Sequence, residues 1–477
     1  MAIINARSPY YVSITNAAIS YATLDISIWS GSSATVATEN TSYSLKKYIQ
    51  GTLTKVSFEI SQLVRDDLDV NFDGNYTTSA TSDGGAKWVK TTIKAFNSSN
   101  AQVGSTVTET NIAFDGYGYF EEGSSFTMAN DSLFASEGDI FLPRFGDSNI
   151  AIYTGNNPTV LLKDIAGATV DTSTFPSSVQ SSQQIKYVSL YPELITNFAF
   201  DDDSDWTKQS NDVIKDGLFY FGGQSGARYP NTFAPVVGTN YILNFTITEV
   251  NSGFLNGVFE ANNPAGINIT GRIDKVGDYS FQYTQTSTSN NLVSFFSASG
   301  FDGAMDNVSV KEVYDVSKIS VTDDNGTTNA NVKQVQECKF TPHKVTFVNK
   351  NGVLDDMYFF KKSTDSMTTK RESYNANTIK ADNTYSVNQH NKREFNITAN
   401  SMVKLSSGYL NESSNEKFKQ LLLSEKVWIT RTFKNDELVL PININTSNIS
   451  YKTSLNDKLV DYTIVFKDSY NAINNIR

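Results

Sequence analysis

Residues 193–210, ELITNFAFDDDSDWTKQS, and residues 300–313, GFDGAMDNVSVKEV, bracket the stretch that decides how this chain divides. Between them, strand-like runs occur at 218–221, 241–248, 257–260, 279–283 and 292–297, with turn sequences such as NNPAG at 262–266 separating them. Short alternating runs with turn residues at close spacing are the pattern of a β-sandwich or jelly roll. The first and last strands of such a unit lie side by side, so its two ends leave together and a host fold tolerates it as an insertion. IKYVSLY at 185–191 stops where this unit starts, and KISV at 318–321 resumes where it ends. The expected organisation is therefore an N-terminal β framework at 1–192, an inserted jelly roll at 193–314 and a C-terminal β-rich framework at 315–477.

The flanks read as strands too. Residues 21–29 alternate cleanly, with Leu24, Ile26 and Ile28 on one side and Tyr21, Thr23, Asp25, Ser27 and Trp29 on the other. Strands are expected at 10–14 and 88–96, a helical turn around Ile60, Leu63 and Val64, and a further strand through Leu68, Val70 and Phe72. Asp324-Asn325-Gly326 and Asn351-Gly352 are hairpin turns. The clear helix lies near 414–426, with Ser413 and Glu416 as a capping box and Phe418, Leu421 and Leu422 as its buried stripe. The fold class is thus mainly β: a multi-domain β-sandwich framework with an inserted jelly roll and one or two short helices.

Composition excludes several chemistries. The chain has 477 residues, 24 Tyr and 30 Phe, but only two His and one Cys. One thiol, Cys338, forms no intrachain disulfide, and so few ligands build no Cys/His metal site. No P-loop, dinucleotide-binding glycine string, HExxH or GxSxG is present. Asp69, Asn71, Asp73 and Gly74 copy the start of a calcium loop, but the twelfth position is Ala80, so the spacing is read as a strand with one polar face. His343 and His390 have no local partner that makes a catalytic pair. The opening MAIINARSPYYV lacks the apolar stretch of a secretion signal, so synthesis and folding in the cytoplasm are expected. No apolar run reaches about 18 residues, so no membrane insertion is expected. Net charge is −11, which argues against nucleic acid as a partner. The charge is uneven: residues 1–330 hold 35 acids and 18 bases, residues 331–477 hold 15 and 21. Such asymmetry suits head-to-tail or layered contacts.

The paired signature of the inserted unit, ELITNFAFDDDSDW and MDNVSVKEV, resembles the galactose-binding-like jelly rolls that serve as carbohydrate-binding modules. Phe198 replaces the glycine usual in that opening. The resemblance implies a structural calcium held by Asp201 and Asp306, with Asp202, Asp203 and Asp205 as competing oxygens nearby. It also implies sugar contact through stacked aromatics and hydrogen-bonding side chains, for which Trp206, Tyr220, Gln224, Arg228 and Tyr229 are the candidates.

The flanks resemble a virion structural protein of tailed phages that infect Bacteroidetes-type bacteria, including crAss-like and flavobacterial phages. The likeness rests on YYVSITNAAISYATLDISIW, FEISQLVRDDLDVNFDGNY, FDGYGYFEEG, ECKFTPHKVTFVNKNGVLDDMYFFKKS, LLLSEKVW and YKTSLNDKLVDYTIVFK in that order. It implies a non-enzymatic tail, baseplate, collar or fibre component that assembles in the host cytoplasm. Its partners would be other virion proteins, copies of itself and host cell-surface polysaccharide. Two further readings are a tail-associated glycan depolymerase and a bacterial surface adhesin.

Overall fold

The structure, a computed structural model, describes residues 3–31, 34–35, 41–76, 85–123, 131–175, 184–195, 200, 205–260, 267–286, 293–298, 300–337, 339–433, 436–448, 450 and 459–473. The chain is mainly β and built of several sheets.

The alternation at 21–29 forms strand Tyr21–Trp29, and Leu24, Ile26 and Ile28 are its buried face. It pairs antiparallel with Ala86–Phe96 on one side and Thr41–Tyr48 on the other. Val107–Phe114 and Ile3–Asn5 complete a five-stranded sheet. The hairpin-like pair Tyr11–Thr15 and Lys55–Glu59, with the short helix Ser61–Arg65, covers that aliphatic face through Val12, Ile14, Val56, Phe58 and Val64.

Residues 68–72 form no strand. Val70 and Phe72 are buried against Leu354 and Trp428, but the backbone between them is irregular. The Lys426 ammonium donates to Asp69 and to the Val70 carbonyl, so a lysine stands where a ladder neighbour would. Apolar alternation here records packing of a loop on a sheet, not membership of one.

Part of the second half of the N-terminal flank shares a sheet with the C-terminal flank. One sheet runs in the order Thr169–Thr174, Thr159–Lys163, Lys318–Asp323, Gly326–Val335, Ile140–Pro143. Residues 134–185 also pack on the first half, with Phe134, Ala151, Tyr153 and Ile185 in one cluster with Trp29, Trp88, Ile112 and Phe114. Two glycines let the N-terminal and C-terminal flanks approach closely: a Cβ on Gly116 would lie 2.8 Å from the Lys350 carbonyl, and one on Gly352 (φ +78°) would lie 2.5 Å from the Gly116 nitrogen.

A seven-stranded sheet forms the largest layer, in the order Leu354–Phe359, His343–Val348, Val427–Phe433, Asp436–Ile444, Thr463–Asp468, Lys392–Ser406, Thr364–Asn375. The expected helix is present as Asn415–Leu423, following a 3-10 turn at Glu412–Ser414. Phe418 and Leu421 are fully buried in the main core, whereas Leu422 is half-buried. No side chain caps this helix; instead Asn411 accepts from the Ser413 backbone one turn earlier, so the Ser413–Glu416 capping box is not formed.

Strand Leu354–Phe359 is buried at all six positions, and two of them are carboxylates. Asp355 and Asp356 point to opposite faces because successive strand residues do. Asp355 meets the Lys417 ammonium at 2.7 Å and accepts from the Ser136 backbone at 2.7 Å and the Asn349 amide at 3.2 Å. Asp356 lies 3.4 Å from the Lys344 ammonium, and accepts from the Thr346 hydroxyl, the Asn149 backbone and the Tyr76 phenol.

The inserted unit closes on itself. It has two sheets, Trp206–Thr207, Gly226–Pro230, Ser294–Ser297, Gly257–Phe259 and Val213–Lys215, Leu218–Gly222, Asp302–Glu312, Asn240–Ser252, Gly277–Thr284, and among the described strands each of these pairs only within its own sheet. Its core cluster runs from Ile195 to Val310. At its base the two connecting segments clamp reciprocally. The Tyr191 phenol donates to the Tyr314 carbonyl at 2.9 Å, the Tyr314 phenol to the Leu190 carbonyl at 2.6 Å, and the rings stack at 5.2 Å.

Removing one partner of a buried ion pair strands the other charge, at a cost of about 3–5 kcal/mol. Lys417→Ala and Asp355→Ala should each lower stability by that amount in urea titration, whereas the apolar double replacement Asp355→Leu/Lys417→Met should recover much of it.

Acid should act on the same network. Burial opposes ionisation of Asp355, but Lys417 and the hydrogen bonds from Ser136 outweigh it and hold its pKa below the ordinary value. Asp147 is held down to about 2, because Lys344 and Lys311 outweigh its burial. Groups whose folded pKa is depressed contribute stability above the unfolded value near ~3.9 and lose it as pH falls towards the folded one. The urea midpoint should therefore be flat from about pH 7 to 5 and fall from about pH 4 towards 2, and Asp147→Asn should flatten that fall.

Candidate functional site

The five candidate sugar-contact residues separate in the fold. Trp206 is 4% exposed and packs on Phe200, Phe219 and Phe295, so it is a core residue and not a stacking platform. Arg228 is fully buried: its guanidinium binds both carboxylate oxygens of Asp212, at 2.8 and 3.1 Å, and the carbonyls of Gly226 and Gln224. Asp212 in turn accepts from the backbones of Gly222 and Gln209. This fully buried pair ties the loops at 209–212 and 222–226 to the strand and spends four of the five guanidinium N–H groups there. The signal was in the pattern: Arg228 and Tyr229 are adjacent on a strand, so only one of them can face outward.

Gln224 is half-buried in a loop, where its side-chain oxygen accepts from the Ser210 hydroxyl at 3.0 Å. Tyr220 is half-buried on the outer side of the five-stranded sheet, with the Lys215 ammonium 4.9 Å above its ring. Tyr229 lies on the other sheet. Asp306 is 3% exposed in the last strand and Asn307 follows it with a left-handed φ of 53°. Asp201, Asp202 and Asp203 lie outside the described residues, and no group of three or more metal-ligating side chains occurs among the described ones.

Around Tyr229 a face does assemble. Tyr229 pairs with Thr207 across one ladder, and Ala227, two residues away on the same side, pairs with Phe296 across the next. Tyr229 and Phe296 are thus diagonal neighbours on the outer surface of the four-stranded sheet, roughly 7–8 Å apart by backbone geometry. Both are half-buried, each presenting part of its ring. Phe296 also opposes Gly257, whose missing side chain is filled by Asn268: a Cβ there would meet its amide oxygen at 2.3 Å. Asn268 is itself exposed and fixed by bonds to the Asn256 carbonyl and from the Thr270 and Gly271 backbones. Two aromatics beside an anchored amide make a shallow platform of mixed character. Phe296 was not singled out from the sequence because Phe295-Phe296 reads as core on either register.

The framework holds a cleft of about 850 Å³ lined by residues including Tyr76, Asp147, His343, Lys344, Tyr358 and Arg431. Lys344 and Asp147 are paired within it. Lys344 bonds Asp147 at 2.8 Å and also reaches Asp356, and the Tyr358 phenol donates to the Asp147 carbonyl at 2.5 Å. Burial lowers the Lys344 pKa, but Asp356 and Asp147 more than reverse this and keep it cationic. Burial and the nearby Asp356 push the Tyr76 phenol well up, and burial pushes His343 down. Lys344 and Asp147 thus hold their charges as a pair at the edge of the cleft.

No protein-family model matches the chain, and no curated protein does. Among solved structures, an alignment pairs 98% of this chain with 30% of the native conformation of Escherichia coli alpha-2-macroglobulin, at 8% identity and a TM-score of 0.15. That likeness carries no argument about fold or function.

Because Arg228 anchors the loops beneath the Tyr229 face, Arg228→Ala should destabilise the inserted unit by about 3–5 kcal/mol. The effect should appear as accelerated hydrogen exchange confined to residues 205–230, with the seven-stranded sheet unaffected.

Proposed function

We propose that this chain is a non-enzymatic structural component of a phage virion, of the tail, baseplate, collar or fibre, whose inserted jelly roll contacts host surface glycan. The observation that carries the glycan part is the Tyr229–Phe296 face with Asn268 beside it. Aromatic faces stack on the C–H surface of a sugar ring and a fixed amide pairs with hydroxyls, so the platform has the two contact types that a neutral polysaccharide requires. Its shallowness suits weak single contacts made strong by copy number, which is how an adhesive particle gains avidity. The assembly part is supported by the way both flanks are spent on one another: strands from 140–174 and 318–335 share a sheet, leaving the jelly roll as a self-contained unit held at one clamp.

The test uses the full chain on a glycan array that includes host capsular and surface polysaccharide. Binding is expected, with Tyr229→Ala and Phe296→Ala each weakening it about tenfold, equivalent to ~1.4 kcal/mol, at unchanged melting temperature. Binding that ignores both substitutions removes this face from the reading. Mass spectrometry of purified particles that lacks the chain removes the virion assignment, and release of reducing ends from the polysaccharide makes it an enzyme.

A further inference from the structure

The C-terminal hairpin carries a second surface. Strand Thr364–Asn375 is the outermost member of the seven-stranded sheet, and all 12 of its residues are exposed. Its partner Lys392–Ser406 is exposed over its first six residues and becomes buried only at Ala399, Val403 and Leu405. Pairing continues from Thr364↔Lys404 out to Asn375↔Lys392, with the Ala376 amide still bonded to the Asn391 carbonyl at 2.7 Å. At about 3.3 Å per residue the strand alone reaches ~40 Å. Among the described residues, the ion pair, ring contact and ladder bonds given for the outer half of this arm are made within the arm.

A two-stranded ribbon is marginally stable alone in water, and a long unpaired edge is a template for another chain. The arm's own contacts are slight. Arg371 and Glu394 form an ion pair at 2.9 Å with both side chains half-exposed, and Tyr374 meets Phe395 edge-on at 5.7 Å. Yet Met367, Tyr374, Ile379, Tyr385, Val387 and Phe395 all face solvent, Val387 at 87% exposure. Charge and area both indicate what covers them. Over 370–394 the arm carries Lys370, Arg371, Lys380, Lys392 and Arg393 against Glu372, Asp382 and Glu394, while residues 1–330 hold 35 acids against 18 bases. A ribbon about 40 Å long and about 10 Å wide presents roughly 400 Å² on each face, so covering both faces reaches the ~800 Å² per partner of a standard interface.

We infer that the arm, residues 364–401, docks onto the acidic body, residues 1–330, of a second copy of this chain. The contact is heterologous, since arm and body are different surfaces, and it propagates from copy to copy into a ring or a stack. It rests on the assembly half of the proposed function and is independent of sugar binding.

The full chain should sediment at low salt as a species larger than its 52.7 kDa protomer, and dissociate as NaCl rises from ~0.05 to ~0.5 M. The charge reversal K370E/R371E/K392E/R393E should be a protomer at low salt with an unchanged melting temperature. A photo-crosslinking residue at Tyr385 in a mixture of isotopically light and heavy chains should give mixed crosslinks to peptides from 1–330. A wild-type chain that stays at protomer mass, a reversed chain that assembles like wild type, or crosslinks to 364–401 of the partner copy alone would each overturn the arm-to-body contact. None of those results bears on particle membership, which the mass spectrometry of purified particles decides separately.

Discussion

Two adjacent carboxylates in the middle of a fully buried strand are the constraint on which the framework depends. A buried carboxylate without a partner is so costly that Asp355 and Asp356 dictate what must surround Leu354–Phe359. On one face the helix has to bring Lys417, and residue 136 has to arrive with its backbone N–H free. On the other, Lys344 and Thr346 must sit in the neighbouring strand, while Asn149 and Tyr76 come from the N-terminal flank. Each aspartate thus joins segments more than 200 residues apart in the chain. Apolar replacements would give more stability per residue; the acids confer register, because a one-residue slip would exchange their faces and leave every partner unmatched.

Much of the fold was legible in the residues. Strand Tyr21–Trp29, the Asp324-Asn325 turn and the helix at Asn415–Leu423 follow from local periodicity and turn chemistry, which act over a few residues and need no tertiary context. The failures share one cause. Residues 68–72 alternate like a strand but gain their burial from Trp428 and Leu354, far along the chain. That Ile140–Pro143 and Thr159–Lys163 join one sheet with residues 318–335 was invisible because such pairing is set by segments far along the chain. Strand Leu354–Phe359, buried on both faces, has no alternation to read, and its two charges are explained only by lysines that the fold brings to it.

The site followed the same rule. Chemistry-bearing residue types pointed to Arg228 and Trp206, but the strand period decides which of two neighbours faces out, and it turned these inward. Tyr229 survived because its parity is outward, and its companion Phe296 became visible only through the ladder that sets Ala227 against it. A binding platform on a sheet is a cross-strand property, and cross-strand register is what a single sequence specifies least directly.

Charge patterning shows how folding can sharpen a compositional hint. The C-terminal flank holds an excess of bases, yet Lys344 and Lys417 are consumed by Asp356 and Asp355 of that same flank, and Lys426 by Asp69. With such neutralised pairs set aside, Lys370, Lys380, Lys392 and Arg393 remain exposed on the arm. A sequence-wide imbalance thereby becomes a directional one, at the end of an arm about 40 Å long. A charge carried that far from its own body interacts over roughly a Debye length of about 8–10 Å at moderate salt, so it acts on whatever the arm reaches and hardly at all on the sheet from which it grows.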